Sequence, residues 1–253
     1  MQFFIFLFIF FILMFLGVIG LIVWLVIKSQ KKPAGEDAKQ ERIELINSVL
    51  SKRGELASWE HYSAENLRPY ASYKYIKALK NTFSGKLIAD DGQYVLAFKR
   101  IERGFYSVGS IAAATSSFEL FFVIETDRTD FYYDRKKIGT VLKNGSIFNN
   151  EGKEIGTVNR SNSSTISIGG LVDIHTGSAH YDFNMNGRLL AIFFVTPRIS
   201  NFFGAGLFSV NENSGSRIIQ QVDEPQENEK KWLISWTVYE LVYHGFWFSE
   251  VGS

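Results

Sequence analysis

An uninterrupted apolar run at the N-terminus constrains this chain more than any other feature. From Phe3 to Ile27 every residue is apolar or glycine. At about 1.5 Å of rise per residue, a helix over this run reaches roughly 37 Å, and the hydrocarbon core of a bilayer is about 30 Å thick. A helix also satisfies its own backbone hydrogen bonds in lipid. The run, which includes Phe15 and Trp24, therefore predicts a single transmembrane anchor over residues 1–28.

The alternative to a membrane span is a cleaved signal peptide. Such a peptide has a basic segment before a shorter apolar core, and it has small residues at its cleavage site. Here Gln2 precedes the run without any Lys or Arg, and bulky residues occupy 24–27. These features favour the span.

Three lysines directly after the run predict the orientation of the span. Lys28, Lys31 and Lys32 follow it, and only the α-amino group lies before it. The positive-inside rule places the N-terminus outside and the C-terminal domain in the cytoplasm, or in an equivalent non-translocated compartment. Each lysine near an anionic leaflet contributes about 1 kcal/mol of binding free energy, so all three are candidates for contact with lipid headgroups.

The composition excludes several classes of function. The chain has no cysteine, which excludes disulfide frameworks, thiolate metal sites and cysteine nucleophiles. Its formal net charge is +1, which gives no electrostatic case for nucleic acid as a partner. We find no phosphate-binding loop, no dinucleotide fingerprint and no nucleophile elbow, so no cofactor and no enzymatic activity are predicted.

A linker and an amphipathic helix are predicted over residues 29–55. The linker, Ser29–Asp37, contains a proline and a glycine. In Glu36–Arg53, apolar residues recur at the helical period with charges between them, and Gly54 is a suitable C-cap.

A second group of lysines follows this helix. Over Leu56–Lys80, the residues Tyr70, Tyr73, Ile76 and Leu79 have the spacing of one helical face. Lys74, Lys77 and Lys80 would then lie on a neighbouring face. They are further candidates for contact with lipid headgroups, although a solvated helix face explains the same spacing.

From residue 85 onward the pattern changes to short strands separated by turn signals, which predicts a β-rich domain over 56–253. Lys86–Ala89 and Tyr94–Ile101 form a predicted hairpin, and Asn186-Gly187 joins another. No βαβ alternation occurs, so the predicted fold class is mainly β, an antiparallel barrel or sandwich. The remaining predicted strands are Phe118–Thr126, Phe131–Tyr133, Ile138–Leu142, Ser146–Phe148, Ile155–Val158, Thr165–Ile168, Val172–His175, Ala179–Phe183, Arg188–Val195, Leu207–Val210 and Arg217–Val222.

Two further patterns stand out. Ile138-Gly139-Thr140-Val141 is repeated as Ile155-Gly156-Thr157-Val158, each time after a charged turn, which indicates two similar meander strands. Trp232–Phe248 is almost wholly apolar. A helix that is apolar nearly all round is buried in protein or lipid, so a buried helix is favoured here. A strand and a second membrane span remain alternatives.

Meander strands with charged glycine turns, followed by an apolar C-terminal helix, resemble the tubby C-terminal-like superfamily, which includes tubby-like proteins, LURP-one-related proteins and phospholipid scramblases. The resemblance lies in Phe131–Gly139, Glu151–Gly156 and Lys230–Trp236 and covers about residues 70–248. It implies a closed β-barrel around a central C-terminal helix. It also implies a module that binds phosphoinositides or a protein at the membrane surface.

The chain departs from this family in two ways. It has no cysteine to carry a lipid, and its acidic segment Asp223–Glu229 lacks the order of acidic residues of a calcium loop. Calcium-triggered lipid scrambling is therefore poorly supported.

The histidines offer one weak metal hypothesis. Asp173, His175 and His180 flank a predicted loop and could hold a metal ion, but a polar strand end facing water is the favoured explanation. We therefore predict no metal site and no catalytic residue.

The sequence leaves three functions open. The first is a membrane-anchored, non-catalytic β domain that binds lipid headgroups or a protein partner. The second is an accessory subunit of a larger membrane complex. The third is a scramblase-like protein that moves lipid. Membrane lipids, and in the second case other membrane subunits, are the expected partners.

Overall fold

The structure is a computed structural model that describes residues 13–21, 24, 34–76, 80–103, 108–159, 165–168, 172–175, 179–195 and 218–244. Its helices are α1 (Gly35–Leu50) and α2 (Glu227–Tyr239), the latter continued by one π-helical turn, Glu240–His244. The strands are β1 (Leu67–Ile76), β2 (Lys80–Ala89), β3 (Tyr94–Arg103), β4 (Val108–Ala114), β5 (Glu119–Ile124), β6 (Arg128–Tyr133), β7 (Lys136–Leu142), β8 (Ser146–Asn149), β9 (Glu154–Asn159), β10 (Thr165–Ile168), β11 (Val172–His175), β12 (Ala179–Met185), β13 (Arg188–Val195) and β14 (Ile219–Gln221).

Twelve of these strands form one antiparallel sheet, which confirms the mainly β fold class. The sheet order is β1 to β9, then β12, β13 and β14, and β10 pairs with β11 as a separate hairpin. The described residues contain no ladder between β1 and β14, so the sheet is not a closed barrel. Its two edges nevertheless approach each other, because the Gln221 N–H donates to the Glu65 carboxylate at 2.7 Å.

The antiparallel order gives the sheet two distinct ends. Tight connections between β2 and β3, β6 and β7, β8 and β9, and β12 and β13 lie at one end, which we call the turn end. Strands β1, β3 and β13 finish at the opposite end, which we call the Ile76 end after the last residue of β1. Helix α2 begins at the turn end and runs toward the Ile76 end.

Four of the five hairpins of the turn end carry a β-bulge on their second strand, and the β4–β5 hairpin has none. The bulged residues are Val95, Ile138, Ile155 and Leu190. Each lies three residues after a turn residue with positive φ, namely Gly92, Arg135, Gly152 or Gly187. A bulge bends its strand and increases the local twist. Because all four bulged side chains are buried or pack against the core, the bends turn the strands around the start of α2.

The bulges explain the repeated Ile-Gly-Thr-Val sequence. Ile138 and Ile155 are both bulged residues, and the glycine that follows each lies against a neighbouring strand. A Cβ at Gly139 would overlap the main-chain oxygen of Phe148 and lie 2.8 Å from a ring carbon of Trp232. The repeat therefore marks two members of a set of four hairpins.

The core forms around α2. Trp232, Trp236 and Tyr239 are at most 6 % exposed, and each has its ring centre within 6 Å of the ring centre of Phe131 on β6. The Trp236 indole N–H donates to the Tyr181 hydroxyl at 3.0 Å. The buried-helix prediction is thus confirmed for Trp232–Val242, and residues 245–248 lie outside the described part.

Helix α1 packs on the outer face of the sheet, as its amphipathic pattern predicts. Its buried side chains Leu45, Ile46 and Val49 contact Ala112 and Ala114 of β4. The small alanines let the helix approach the sheet closely, while alternate residues of β4 face α2 on the inside. Strand β4 lacks a strand-like sequence pattern, and it was not predicted.

The predicted helical face over 56–80 is wrong. Residues 67–76 form strand β1, because tyrosine and isoleucine, whose spacing suggested a helical face, also favour strands. Lys74 lies on β1 and Lys80 begins β2, so the two do not share a helix face. Lys77 and Leu79 lie outside the described residues, as does the predicted strand Leu207–Val210.

Only part of the predicted span is described. Residues 13–21 and Trp24 are helical, and the other residues of Phe3–Ile27 lie outside the described part. Among the residues that the structure describes, no helix combines the length and the apolar character needed to cross a bilayer.

Candidate functional site

Groups that could carry chemistry are few in the described part of the chain. No three His, Asp or Glu side chains there are arranged to hold a metal ion. Asp173 and His175 belong to β11, and His180 is exposed on β12. A cavity of about 530 Å³ opens widely to solvent near the turn end, and Lys153 and Glu154 are the charged residues that line it. This lining contains no nucleophile with a neighbouring base.

The buried charges at the turn end hold the first turn of α2. The Glu229 carboxylate, 1 % exposed as a residue, accepts hydrogen bonds from Arg188 at 2.6 Å and from Asn186 and the Gln226 N–H at 2.8 Å. Burial alone would raise the pKa of Glu229. The hydrogen bonds from Gln226, Asn186 and Arg188, together with the Arg188 charge, outweigh it and hold the pKa below its usual value.

A second buried group holds the other end of the helix. The guanidinium of Arg100, which is fully buried on β3, donates to the carbonyl oxygens of Val242 and Tyr243 at 2.9 Å. It also pairs with the Glu102 carboxylate and lies over the Phe83 ring. Carbonyls at the end of a helix need such donors, so this arginine stabilises the helix end instead of binding a substrate.

The hydroxyl of Tyr133 has a raised pKa. Burial, followed by the charges of Asp134 and Glu227, raises the pKa of its hydroxyl to about 12. The hydroxyl therefore stays protonated at neutral pH and cannot act as a base. The raised pKa of Tyr133 and the lowered pKa of Glu229 are thus explained by burial and by structural hydrogen bonds and charges.

The Ile76 end has a different surface. Ile76 is 51 % exposed at the end of β1, and Phe194 is 39 % exposed near the end of β13. Lys74 is exposed on the same strand as Ile76, and β2 begins at Lys80. Of the predicted lysine group, Lys74 and Lys80 therefore lie at this end of the sheet, on two strands and not on a helix face. Ile76 and Phe194 were not predicted as surface residues.

Helix α1 connects this end to the N-terminal run. Glu41, in its second turn, pairs with the buried guanidinium of Arg103, the last residue of β3 at the Ile76 end. Desolvation lowers the pKa of Arg103. After α1 the chain reaches the turn end, where the Ala57 N–H donates to the Tyr94 carbonyl at 2.8 Å. The start of α1, and with it Ala34, therefore lies at the Ile76 end.

The described residues of the N-terminal run are exposed although they are apolar. Leu13, Phe15 and Leu21 are 63 %, 66 % and 57 % exposed, and the intervening Ile19 is 41 % exposed. None of the run's described residues belongs to either hydrophobic cluster of the β domain.

Comparison with known proteins gives no relative. No family model, no curated protein and no solved structure matches this chain. The resemblance to the tubby C-terminal-like superfamily therefore stays a prediction.

Proposed function

We propose that this chain is a single-pass membrane protein whose non-catalytic β domain acts by binding at the membrane surface, with lipid headgroups or a protein as its ligand. One observation carries the proposal. The helical residues 13–21 expose apolar side chains all round, and none of them belongs to the hydrophobic clusters of the β domain. Contiguous exposed apolar surface is costly in water and is explained if lipid surrounds it.

Two further observations support the proposal. Among the described residues, the buried charged groups Glu229 and Arg100 bind the two ends of α2, which supports a structural role for them and not a catalytic one. The three lysines after the run, Lys28, Lys31 and Lys32, favour a domain on the non-translocated side.

The proposal is tested by reconstituting the full chain in vesicles and extracting them with alkaline carbonate. We expect the chain to stay with the vesicles. The double variant Phe15→Arg, Ile19→Arg should be extracted, because each arginine near the centre of a span costs roughly 3 kcal/mol of insertion free energy. Ile43→Arg, at an exposed apolar position of α1, is the matched control and should stay. Extraction of the unaltered chain would refute the span.

Two experiments separate this function from the alternatives. A chain that migrates as a lone monomer in mild detergent counts against an accessory subunit, whereas a stoichiometric membrane partner would replace the proposal. Flip of labelled lipid by the reconstituted chain would favour the scramblase-like function, and its absence would remove it.

A further inference from the structure

We propose that the Ile76 end of the β domain rests on the bilayer that holds the span, with Ile76 and Phe194 at the interface and Lys74 against anionic headgroups. The inference rests on the proposed span. Its ligand is an anionic lipid surface, and not a soluble protein.

The connection between the proposed span and the β domain is short. Residues 28–34 join the predicted span to α1, and an extended chain covers at most about 3.6 Å per residue, so the start of α1 lies within roughly 25 Å of the bilayer. Helix α1 is not a free tether. Leu45, Ile46 and Val49 are buried against the sheet, and Glu41 pairs with Arg103. The end of the sheet where α1 begins must therefore stay close to the membrane.

The surface at the Ile76 end combines apolar and basic side chains. Ile76 belongs to β1, one edge strand of the sheet, and Phe194 belongs to β13, which pairs with the other edge strand, β14. An exposed isoleucine and an exposed phenylalanine gain free energy at an interface, and a nearby lysine adds attraction to anionic lipid. The turn end also exposes apolar side chains, at Tyr94 and Val222, so the short connection through α1 is what selects the Ile76 end.

Two acidic residues of the Ile76 end, Glu125 and Asp127, lie away from the proposed contact. Glu125 follows β5 and pairs with Arg128 at 2.9 Å, and Asp127 lies in the same connection. This connection joins β5 and β6, in the middle of the sheet order and several strands away from both β1 and β13. Contact through β1 and β13 therefore brings Lys74 to the headgroups and leaves Glu125 and Asp127 farther away.

The absence of cysteine makes a direct test possible on the full chain. Ile76→Cys and Phe194→Cys each create one labelling site, and Glu151→Cys, in an exposed connection at the turn end, is the matched control. Each variant carries an environment-sensitive fluorophore and is reconstituted in vesicles of phosphatidylcholine with phosphatidylserine, or of phosphatidylcholine alone. Lipids with a nitroxide near the headgroup or near the bilayer centre serve as quenchers.

We expect a blue shift and quenching of the label at 76 and 194 but not at 151. The headgroup-level nitroxide should quench more than the central one, because interfacial segments insert only about 5–10 Å. Adding Lys74→Glu should reduce the quenching at 76 in phosphatidylserine vesicles, whereas adding Lys153→Glu should not. Equal quenching at all three positions would overturn the proposal.

Failure of the inference and failure of the span give different results. A chain that resists carbonate extraction but shows no quenching at 76 and 194 refutes the contact and leaves the span intact. A chain that is extracted refutes the span, and with it the contact. Quenching that is independent of phosphatidylserine and of Lys74→Glu would refute the role of anionic lipid.

Discussion

Replacing Glu229 by Gln tests how the buried helix is held at its start. The carboxylate faces three donors, from Arg188, Asn186 and the Gln226 main chain. A glutamine side chain has the same shape as glutamate. Its amide N–H group is a donor, however, and it must face one of these three donors. Hydrogen bonds to charged groups contribute about 1.5–3 kcal/mol each, and the amide oxygen keeps part of this, so we expect a loss of about 2 kcal/mol in the free energy of unfolding.

The effect should depend on pH in a direction that follows from the lowered pKa of Glu229. A carboxyl whose pKa is lower in the folded state stabilises the fold fully above its unfolded pKa, for which the reference value is 4.5. This contribution is lost as the pH falls through the folded-state pKa. The difference between the unaltered chain and Glu229→Gln should therefore be largest near neutral pH and shrink in acid below 4.5.

Thermal unfolding of the full chain in mild detergent, followed by tryptophan fluorescence, measures this difference. A loss of about 2 kcal/mol lowers the midpoint of a domain of this size by roughly 4–8 °C. Glu227→Gln is the matched control, because Glu227 lies in the same first turn with an exposed side chain and a 3.7 Å contact to Lys231. Equal midpoints for the two variants at neutral pH, or a difference that persists in acid, would refute the reasoning.

Two further substitutions test the other contacts of α2. Arg100→Leu removes the buried guanidinium that binds the helix end and leaves the carboxylate of Glu102 unpaired. We therefore expect a loss of about 3–5 kcal/mol in the free energy of unfolding, measured with denaturant. Arg128→Leu, which breaks an exposed ion pair, should cost under about 1 kcal/mol. Gly139→Ala puts a methyl group where a neighbouring strand and the Trp232 ring lie, and should lower the unfolding midpoint, whereas Gly54→Ala, with open space around it, should not. An Arg100→Leu effect no larger than that of Arg128→Leu, or equal midpoints for the two glycine variants, would contradict these contacts.

The hairpins of this fold are predictable because their turn chemistry is local. Asn186-Gly187 and Asp91-Gly92 mark connections that the structure confirms. The bulges were missed, although each follows a turn residue by three positions and places an apolar residue there. A search for that spacing would have linked Val95 and Leu190 to the repeated Ile-Gly-Thr-Val sequence.

Strands β4 and β1 escaped prediction for physical reasons. Ala112 and Ala114 have no intrinsic preference for strands, and they occur here because α1 needs small residues beneath it. In β1, Pro69 argues against a strand, yet the strand is at the edge of the sheet, where a missing N–H is tolerated. A local sequence pattern shows neither that α1 lies on β4 nor that β1 is an edge strand.

At the Ile76 end, the sequence allowed the lysine to be predicted as a surface residue but not the two exposed apolar residues. Lys74 is conspicuous in the sequence, but the exposure of Ile76 and Phe194 depends on which face of a strand each occupies. A shift in strand register by one residue would exchange the two faces. Apolar residues in a strand therefore become surface candidates only when the register is known.

The position of α2 in the chain has a consequence for biosynthesis. Every strand of the sheet is translated before Glu227, so the inner faces of β3 to β13 have no helix to cover them until the last part of the message is read. By then the N-terminal run has long left the ribosome. Folding of the domain core is thus delayed until α2 has been translated. A chain that terminates prematurely before Trp232 would retain the whole sheet but lack its core, which makes it a substrate for chaperones and proteases.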